Sequence, residues 1–308
     1  MAKYILRRIL LLIPVILGVT FIVYSIMYFT PGDPAQIMLA ENAPKEALEQ
    51  LREDMGLNDP LIVQYFRYIK NALKGDFGRS YTTKREVFKE IFSRFPATLK
   101  LTIAGMILAI LIGIPVGIIS ATKQYSLTDS VSMILALLGV SMPNFWQGLM
   151  LILIFSVGFG LLPSSGADSF KHLILPALTL GTSAAAIITR MTRSSMLEVI
   201  RQDYIRTARA KGVLEKKVIN RHALKNALIP VVTIVGLQFG SLLGGAVLTE
   251  TVFSWPGVGR FMVEAIRSKD TPTVLGSVIF ISVTFSIVNL FVDILYAFID
   301  PRIKSQYK

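Results

Sequence analysis

Apolar residues along this 308-residue chain are gathered into six long runs that are almost free of charged side chains. A helix needs about 20 consecutive apolar residues to cross the hydrocarbon core of a bilayer. The runs predict transmembrane helices at residues 9–32, 101–122, 130–167, 172–189, 226–249 and 271–292. The pattern therefore predicts an all-α membrane protein with six spans.

The third run, residues 130–167, is longer than one span requires. Its end is interrupted by Gly158, Gly160, Pro163 and Gly166, which are residues typical of turns. We therefore expect one span followed by a turn outside the cytoplasm. The fourth run lies at the short limit for a span.

Polar residues between the runs divide the chain into three parts. Residues 1–32 contain the N-terminus and the first span, residues 33–97 form an extracytoplasmic insertion, and residues 98–308 form a five-helix core. The insertion contains two predicted helices, the first capped by Asn42 and ended by Gly56. The second has Leu61, Tyr65, Tyr68, Ile69 and Leu73 at helical spacing. The insertion is either a cover on the span ends or a docking surface for an extracytoplasmic partner.

The net charge of +12 is distributed unevenly along the chain. If the N-terminus is cytoplasmic, six spans return the C-terminus to the same side, and almost all of the basic excess lies in cytoplasmic segments. Cytoplasmic loops of membrane proteins carry such an excess. We therefore expect both termini in the cytoplasm and no nucleic-acid partner, because the charge orients the protein in the lipid bilayer.

Catalytic chemistry is not indicated by the sequence. The chain has no cysteine, and its two histidines stand alone. It lacks the glycine-rich loop with Lys and Ser or Thr that cradles nucleotide phosphates. We therefore expect no catalytic residue, no metal site and no cofactor on this chain.

Several spans carry faces that indicate contact with other helices. One such face is polar: Ser282, Ser286, Asn289 and Asp293 are spaced four, three and four residues apart. It lines a pathway or forms a seam between helices. Small residues every fourth position let another backbone approach closely, either within this chain or in a second membrane subunit. They form two stripes: Gly105, Ala109, Gly113 and Gly117, and Gly236, Gly240 and Gly244.

A basic segment at residues 194–230 interrupts the apolar runs. Its part DYIRTARAKGVLEKKVINRHALKNALIP, residues 203–230, holds seven Lys or Arg against one Asp and one Glu. Residues 194–211 have a helical pattern, Gly212 can end that helix, and a second helix begins near Leu214. In that second helix the residues near one face are Leu214, Val218, His222 or Arg221, Leu224 and Leu228. The segment therefore predicts a helix–turn–helix in the cytoplasm, which binds either anionic lipid or, as its lack of Trp and Phe anchors favours, a protein groove.

This segment resembles the cytoplasmic loop of ABC-importer permeases, which docks in a cleft of the ATPase subunit. The family's Glu-Ala-Ala falls on Arg206, Thr207 and Ala208, so its Glu is absent, and the proline comes later after the glycine. Both departures are typical of the peptide/nickel branch. Other motifs agree with the first membrane subunit of dipeptide or oligopeptide permeases: PGDPA, MGLNDPL, GDFGRS, ILPALTLG, SWPGVGR and DPRI.

The resemblance implies a type I ABC-importer bundle in the cytoplasmic (inner) membrane of a prokaryote. It implies four kinds of partner: a second homologous permease, two cytoplasmic ATPase subunits that bind ATP and Mg²⁺, an extracytoplasmic solute-binding protein, and the bilayer. It assigns the ATPase-coupling loop to Tyr204, Arg206, Thr207, Ala208, Ala210, Lys211, Gly212, Leu228 and Pro230.

The resemblance leaves two solutes open. Small peptides, including glutathione, are favoured over nickel or a nickel chelate. Candidate residues of the translocation pathway are Asn144, Trp146, Gln147, Asn289 and Asp293. A stand-alone channel or carrier remains a further alternative, although the basic loop argues against it.

Overall fold

The computed structural model of this chain describes residues 2–39 and 44–299, and the regular secondary structure there is helical apart from one bridge between Arg79 and Glu86. The α-helices in chain order are α1 (Ala2–Phe29), α2 (Pro34–Met38), α3 (Lys45–Met55), α4 (Leu61–Ala72), α5 (Val87–Thr122), α6 (Leu127–Ser141), α7 (Asn144–Leu151), α8 (Phe170–Ile200), α9 (Asp203–Ala210), α10 (Glu215–Lys217), α11 (Leu224–Val252), α12 (Val258–Arg267) and α13 (Thr271–Ile299). Two π-helical segments, Ile152–Gly158 and Val218–Ala223, continue α7 and lead into α11.

Five helical stretches in the described part of the chain are long and apolar enough to cross a membrane: Leu10–Phe29, Val87–Thr122, Phe170–Ile200, Glu215–Val252 and Thr271–Val292. The remaining predicted span, the third in chain order at residues 130–167, is not one straight helix. Its two halves, Leu127–Ser141 and Asn144–Gly158, are bent by 107°. The bend has a local cause: Met142 is extended, and the proline that follows it disfavours the helical conformation at Met142.

The chain forms two compact units. The first, here named the bundle unit, contains Leu99–Trp255 and the chain from Ile287 onward. Its centre is α8, whose most apolar stretch is 67% buried inside the structure. Two glycines of α5 let the backbones of α5 and α8 approach closely. A Cβ at Gly113 would lie 2.9 Å from the carbonyl oxygen of Ala185, and one at Gly117 would lie 2.7 Å from that of Thr189. The first small-residue stripe therefore packs within this chain.

The second small-residue stripe behaves differently along its length. A Cβ at Gly236 would lie 2.4 Å from Val292, so this glycine also packs within the chain. A Cβ at Gly244 would meet nothing within 4 Å. This end of the stripe is open in the isolated chain.

The other unit, here named the insertion unit, contains Ala2–Thr98 and Pro256–Ser286. The predicted helices of the insertion correspond to α3 and α4. Gly56 ends α3 in the left-handed conformation, as expected, whereas Asn42 lies outside the described residues and Pro44 precedes the helix. In α4 the buried side is built around Tyr65, with Leu61, Tyr68 and Ile69 beside it. Leu73 does not belong to that side, because it is 84% exposed.

The polar face of α13 is only partly available for contacts with other helices. Ser286 donates its hydroxyl hydrogen bond to the carbonyl oxygen of Ser282, 2.7 Å away on the same helix. Asn289 is half-buried. Asp293 lies on the helix, but its side chain is outside the described residues.

Candidate coupling site

The basic segment folds as two short helices joined by a glycine turn. The first predicted helix is interrupted: α8 ends at Ile200, and α9 begins at Asp203 after an extended Gln202. The chain then reverses at Gly212. The helix–turn–helix prediction is therefore confirmed, with a break at residues 201–202 that the helical pattern did not indicate.

Gly212 adopts a left-handed conformation with φ of +74°. Its N–H donates to the carbonyl oxygen of Arg209 (2.9 Å), and the N–H of Val213 donates to that of Ala208 (3.3 Å). These bonds satisfy carbonyl groups that the end of α9 leaves unpaired. A Cβ at Gly212 would meet nothing within 4 Å, so the backbone conformation, rather than space, requires glycine here.

A small hydrophobic core holds the loop to the bundle unit. Its buried members are Ala121, Met196, Ile205, Val218, Ile219, Ala223 and Ala227. Ile205 of α9 is fully buried in this core, and Ala208 packs against its edge. The loop is therefore a packed part of the bundle unit, because Ile205 of α9 shares one core with Met196 of α8 and Ala227 of α11.

The buried face of the second loop helix differs from the prediction. We expected Leu214, Val218, Leu224 and Leu228 on one face, but Leu214 is 79% exposed. Leu214 is the N-cap residue before α10, and its ψ of 134° is not helical, so its side chain does not share the face of the helix that follows. Leu224 does pack against the core, as expected. The π-helical segment Val218–Ala223 has wider turns than an α-helix and so shifts the face of the residues after it. The buried face consequently contains Val218, Ile219, Ala223 and Ala227.

The outer face of the loop is polar and largely exposed. The exposed coupling-loop residues are Tyr204, Arg206, Thr207, Ala210, Lys211 and Gly212. Arg209 makes a two-point ion pair with Glu215 across the turn, at 3.0 Å and 2.6 Å. The hydrogen bonds from Arg209 to the Glu215 carboxylate raise the pKa of the arginine above its usual range.

Three predicted coupling residues lie where the loop meets α11: Tyr204, Leu228 and Pro230. The Tyr204 hydroxyl accepts a hydrogen bond of 2.7 Å from the side-chain amide of Asn226, a residue of α11. Leu228 and Pro230 are half-buried within α11. Pro230 has no N–H for the carbonyl of Asn226, so the helix lacks one bond where the loop ends.

The second group of predicted residues lies at the bend between α6 and α7. Asn144 and Gln147 are half-buried, and Trp146 is 45% exposed. The Gln147 side-chain oxygen is enclosed and has no hydrogen-bond partner in the described part of the chain. No hydrogen bond joins this group to Asn289 in the described part of the chain.

Sequence reasoning missed a buried ion pair close to the coupling loop. Asp129 of α6 pairs with Arg193 of α8 through two bonds of 2.7 Å. Asp129 lies just before the third apolar run, where an exposed loop residue is expected, yet it is almost fully buried. The sequence carries little sign of this ion pair. A serine followed three residues later by an acid, as at Ser126 and Asp129, indicates only that a helix starts there.

Comparison with known proteins identifies the family. The family described as "Binding-protein-dependent transport system inner membrane component" matches residues 113–305, and the corresponding N-terminal family matches residues 1–102. This chain belongs to that family. It is a multi-pass protein of the prokaryotic inner membrane.

Curated relatives match along the whole length of the permease. The chain is 50% identical to the dipeptide transport system permease protein DppB of Alkalihalophilus pseudofirmus, over 99% of this chain and 100% of that protein. It is 47% identical to the glutathione transport system permease protein GsiC of Salmonella paratyphi A, over 99% of each chain.

A solved structure shares the fold at lower identity. A chain of the MetNI methionine ABC transporter in an inward-facing conformation is 20% identical, with a TM-score of 0.57 over 69% of the permease and 97% of that chain. At this identity the likeness concerns the fold alone. The prediction of an ABC-importer permease bundle is confirmed.

Proposed function

We propose that this permease is one of two membrane subunits of an ATP-driven importer for small peptides. The exposed face of the 203–230 loop, seated on its buried core, carries the proposal. A loop that only connected two spans would not need a hydrophobic core of its own. Whole-length similarity to a dipeptide and a glutathione permease supports peptides as the solute class, and it does not favour nickel.

The loop transmits force from a partner. In this proposal each of two cytoplasmic ATPase subunits, which bind ATP and Mg²⁺, holds one coupling loop in a groove. Tyr204, Arg206 and Lys211 face the groove, while Ile205 anchors α9 in the bundle. Closure of the ATPases then moves α9 together with α8 and α11, and no bond of the solute is broken.

The solute arrives from the other side of the membrane. An extracytoplasmic binding protein delivers it to the pair of permeases, and both termini of this chain lie in the cytoplasm. Asn144, Trp146, Gln147, Asn289 and Asp293 line the pathway once the second permease is present. The enclosed, unpartnered oxygen of Gln147 supports this assignment, because buried polar atoms usually have a hydrogen-bond partner.

Co-purification tests the proposal. The tagged permease is isolated in mild detergent, bound proteins are identified by mass spectrometry, and ATP-dependent uptake of dipeptides, glutathione and Ni²⁺ is measured in liposomes. We expect a second permease and ATPase subunits, and peptide uptake that requires ATP. Recovery of this chain alone, still able to move solute, would contradict the proposal in favour of a self-sufficient channel or carrier.

A further inference from the structure

Helix α4 of the insertion lies along the side of the first span, not beyond its end. The Tyr65 hydroxyl donates to the carbonyl oxygen of Leu17 at 2.8 Å and lies 3.0 Å from the Thr20 hydroxyl. The Tyr24 hydroxyl donates to the side-chain oxygen of Gln64 at 2.9 Å. Two neighbouring residues of α4 are thus attached to successive turns of α1.

The depth of these contacts along α1 is considerable. The apolar stretch of α1 is Leu10–Phe29. Leu17 lies twelve residues before Phe29, which corresponds to about 18 Å along a helix that rises 1.5 Å per residue. A tyrosine side chain is much shorter than this distance. The N-terminal half of α4 is therefore beside the membrane-spanning stretch of α1.

The side of α4 that faces away from α1 is apolar. Ile62 is 58% exposed, Phe66 is 64% exposed, and Leu73 is 84% exposed. Their spacing of four and seven residues puts them on one helix face. Lys70 lies at the edge of this face and is exposed, whereas Arg67 forms an ion pair with Asp59. An apolar stripe with cations at its edge is typical of helices that lie in a membrane interface.

This apolar face continues an apolar surface of α1 that is exposed in the described structure. The Phe21 ring of α1 packs edge-on against Tyr65 with ring centres 5.2 Å apart, and Tyr65 packs against Phe66 at 5.8 Å. On the Phe21 side follow Ile22, Ile26 and Phe29, which are exposed in the described structure. Where no other subunit covers it, the apolar stretch of a span is surrounded by acyl chains, and Phe66 belongs to the same exposed surface.

We propose that α4 is a membrane-embedded interface helix, with Ile62, Phe66 and Leu73 among the lipid acyl chains of the leaflet at the C-terminal end of α1. Lys70 then reaches lipid phosphates while its stem covers the edge of the apolar face, and Arg67 stays paired with Asp59. The depth of the contacts with α1 and the continuity of the apolar surface both select lipid as the occupant over a soluble binding protein. The proposal holds for either orientation of the termini.

Single-cysteine labelling tests the proposal, because the chain has no cysteine of its own. The variants Ile62→Cys, Phe66→Cys and Leu73→Cys change exposed side chains outside the buried cluster around Tyr65, and of these only Phe66 has a ring contact with Tyr65. Ile26→Cys on α1 is the lipid-facing control, and Glu53→Cys on the exposed side of α3 is the water-facing control. Each variant is reconstituted in lipid with its co-purifying subunits and labelled with an environment-sensitive fluorophore. The cysteine-free chain, treated identically, gives the background from those subunits.

Two quenchers separate the outcomes. We expect nitroxide-labelled lipids to quench the labels at positions 62, 66 and 73 as they quench the label at 26, and aqueous iodide to quench them several-fold less than the label at 53. Quenching by iodide as strong as that at position 53 would overturn the proposal. Shielding from both quenchers, or shielding that develops only when a solute-binding protein is added, would also overturn it and would assign the face to protein contacts.

Discussion

The buried Asp129 and the partly buried Arg193 form a two-point ion pair that joins α6 to α8. Arg193 donates from Nε to Oδ1 and from Nη2 to Oδ2, both at 2.7 Å. The Ser120 hydroxyl donates to Oδ1, and the Tyr125 N–H donates to Oδ2 at 3.0 Å. Each carboxylate oxygen thus has two partners, as a buried charge requires. The pair connects the end of α5, the start of α6 and the last third of α8.

Removing one partner of this pair should destabilise the permease strongly. Arg193→Ala leaves the Asp129 carboxylate without its cation. Breaking a fully buried pair in this way costs roughly 3–5 kcal/mol, and because Arg193 is 23% exposed we expect the lower end of that range. Unfolding of the purified protein in a denaturant titration measures the change. The double variant Asp129→Ala with Arg193→Ala should lose less than the sum of the two single variants.

The exposed pair Arg209–Glu215 is the matched control for this prediction. Its side chains are 39% and 59% exposed. Arg209→Ala should therefore change the free energy of unfolding by less than about 1 kcal/mol. Equal effects of Arg193→Ala and Arg209→Ala would show that burial of the Asp129 pair has no energetic consequence.

The close approach of α5 and α8 should make Gly117 intolerant of a side chain. A Cβ at this position would lie 2.6 Å from the Cβ of Thr192 and 2.7 Å from the carbonyl oxygen of Thr189. Gly117→Ala should destabilise the chain by about 1–3 kcal/mol, the usual cost of overpacking. Thermal unfolding in detergent measures it.

Gly244→Ala is the control, because its Cβ would meet nothing within 4 Å. We expect this variant to unfold at the same temperature as the parent or higher, because alanine favours the helix over glycine by about 0.5–1 kcal/mol. If the open end of the second stripe contacts the second permease, a larger change, Gly244→Leu, should lower recovery of that subunit without lowering the stability of the isolated chain. Unchanged recovery would place the contact elsewhere.

Gly212 should be sensitive to the shape of a substituting side chain rather than to its size. Gly212→Val forces a β-branched residue into the left-handed region, at a cost of about 1–2 kcal/mol. Asparagine enters that region more readily, so Gly212→Asn should retain more activity. ATP-coupled peptide uptake by the reconstituted complex measures both variants. Full uptake with Gly212→Val would contradict the requirement for this turn.

Gln147 should contribute more to transport than to stability. Its enclosed oxygen has no partner among the described residues, and an unsatisfied buried group costs about 1–3 kcal/mol. Gln147→Met removes that group at similar length. We expect unfolding at equal or higher denaturant concentration together with reduced peptide uptake. Lower stability with normal uptake would instead assign Gln147 a structural role.

Asp293 and Ser286 separate the two interpretations of the polar face of α13. Asp293→Asn should lower peptide uptake if the face lines the pathway. Ser286→Ala should have little effect, because that hydroxyl already bonds to Ser282 of its own helix. If Asp293→Asn leaves both uptake and co-purification of the second permease unchanged, Asp293 belongs to neither a pathway nor a seam.

The sequence by itself determined the spans and the turn of the coupling loop. Both depend on properties that are local in the chain: the length of an apolar run against the thickness of a bilayer, and the ability of Gly212 to adopt a positive φ. The 107° bend after Met142 also has a local cause in Pro143, although the length of the run concealed it.

Only the tertiary structure decided which residues meet across the fold. Arg193 lies 64 residues beyond Asp129, and Tyr65 lies 48 residues beyond Leu17, so neither pairing has a signature in the local pattern. The π-helical segment Val218–Ala223 likewise rotates a face whose residues the 3.6-residue period had assigned differently. Such contacts depend on how helices pack against one another, and the local sequence of one helix does not specify which helix becomes its neighbour.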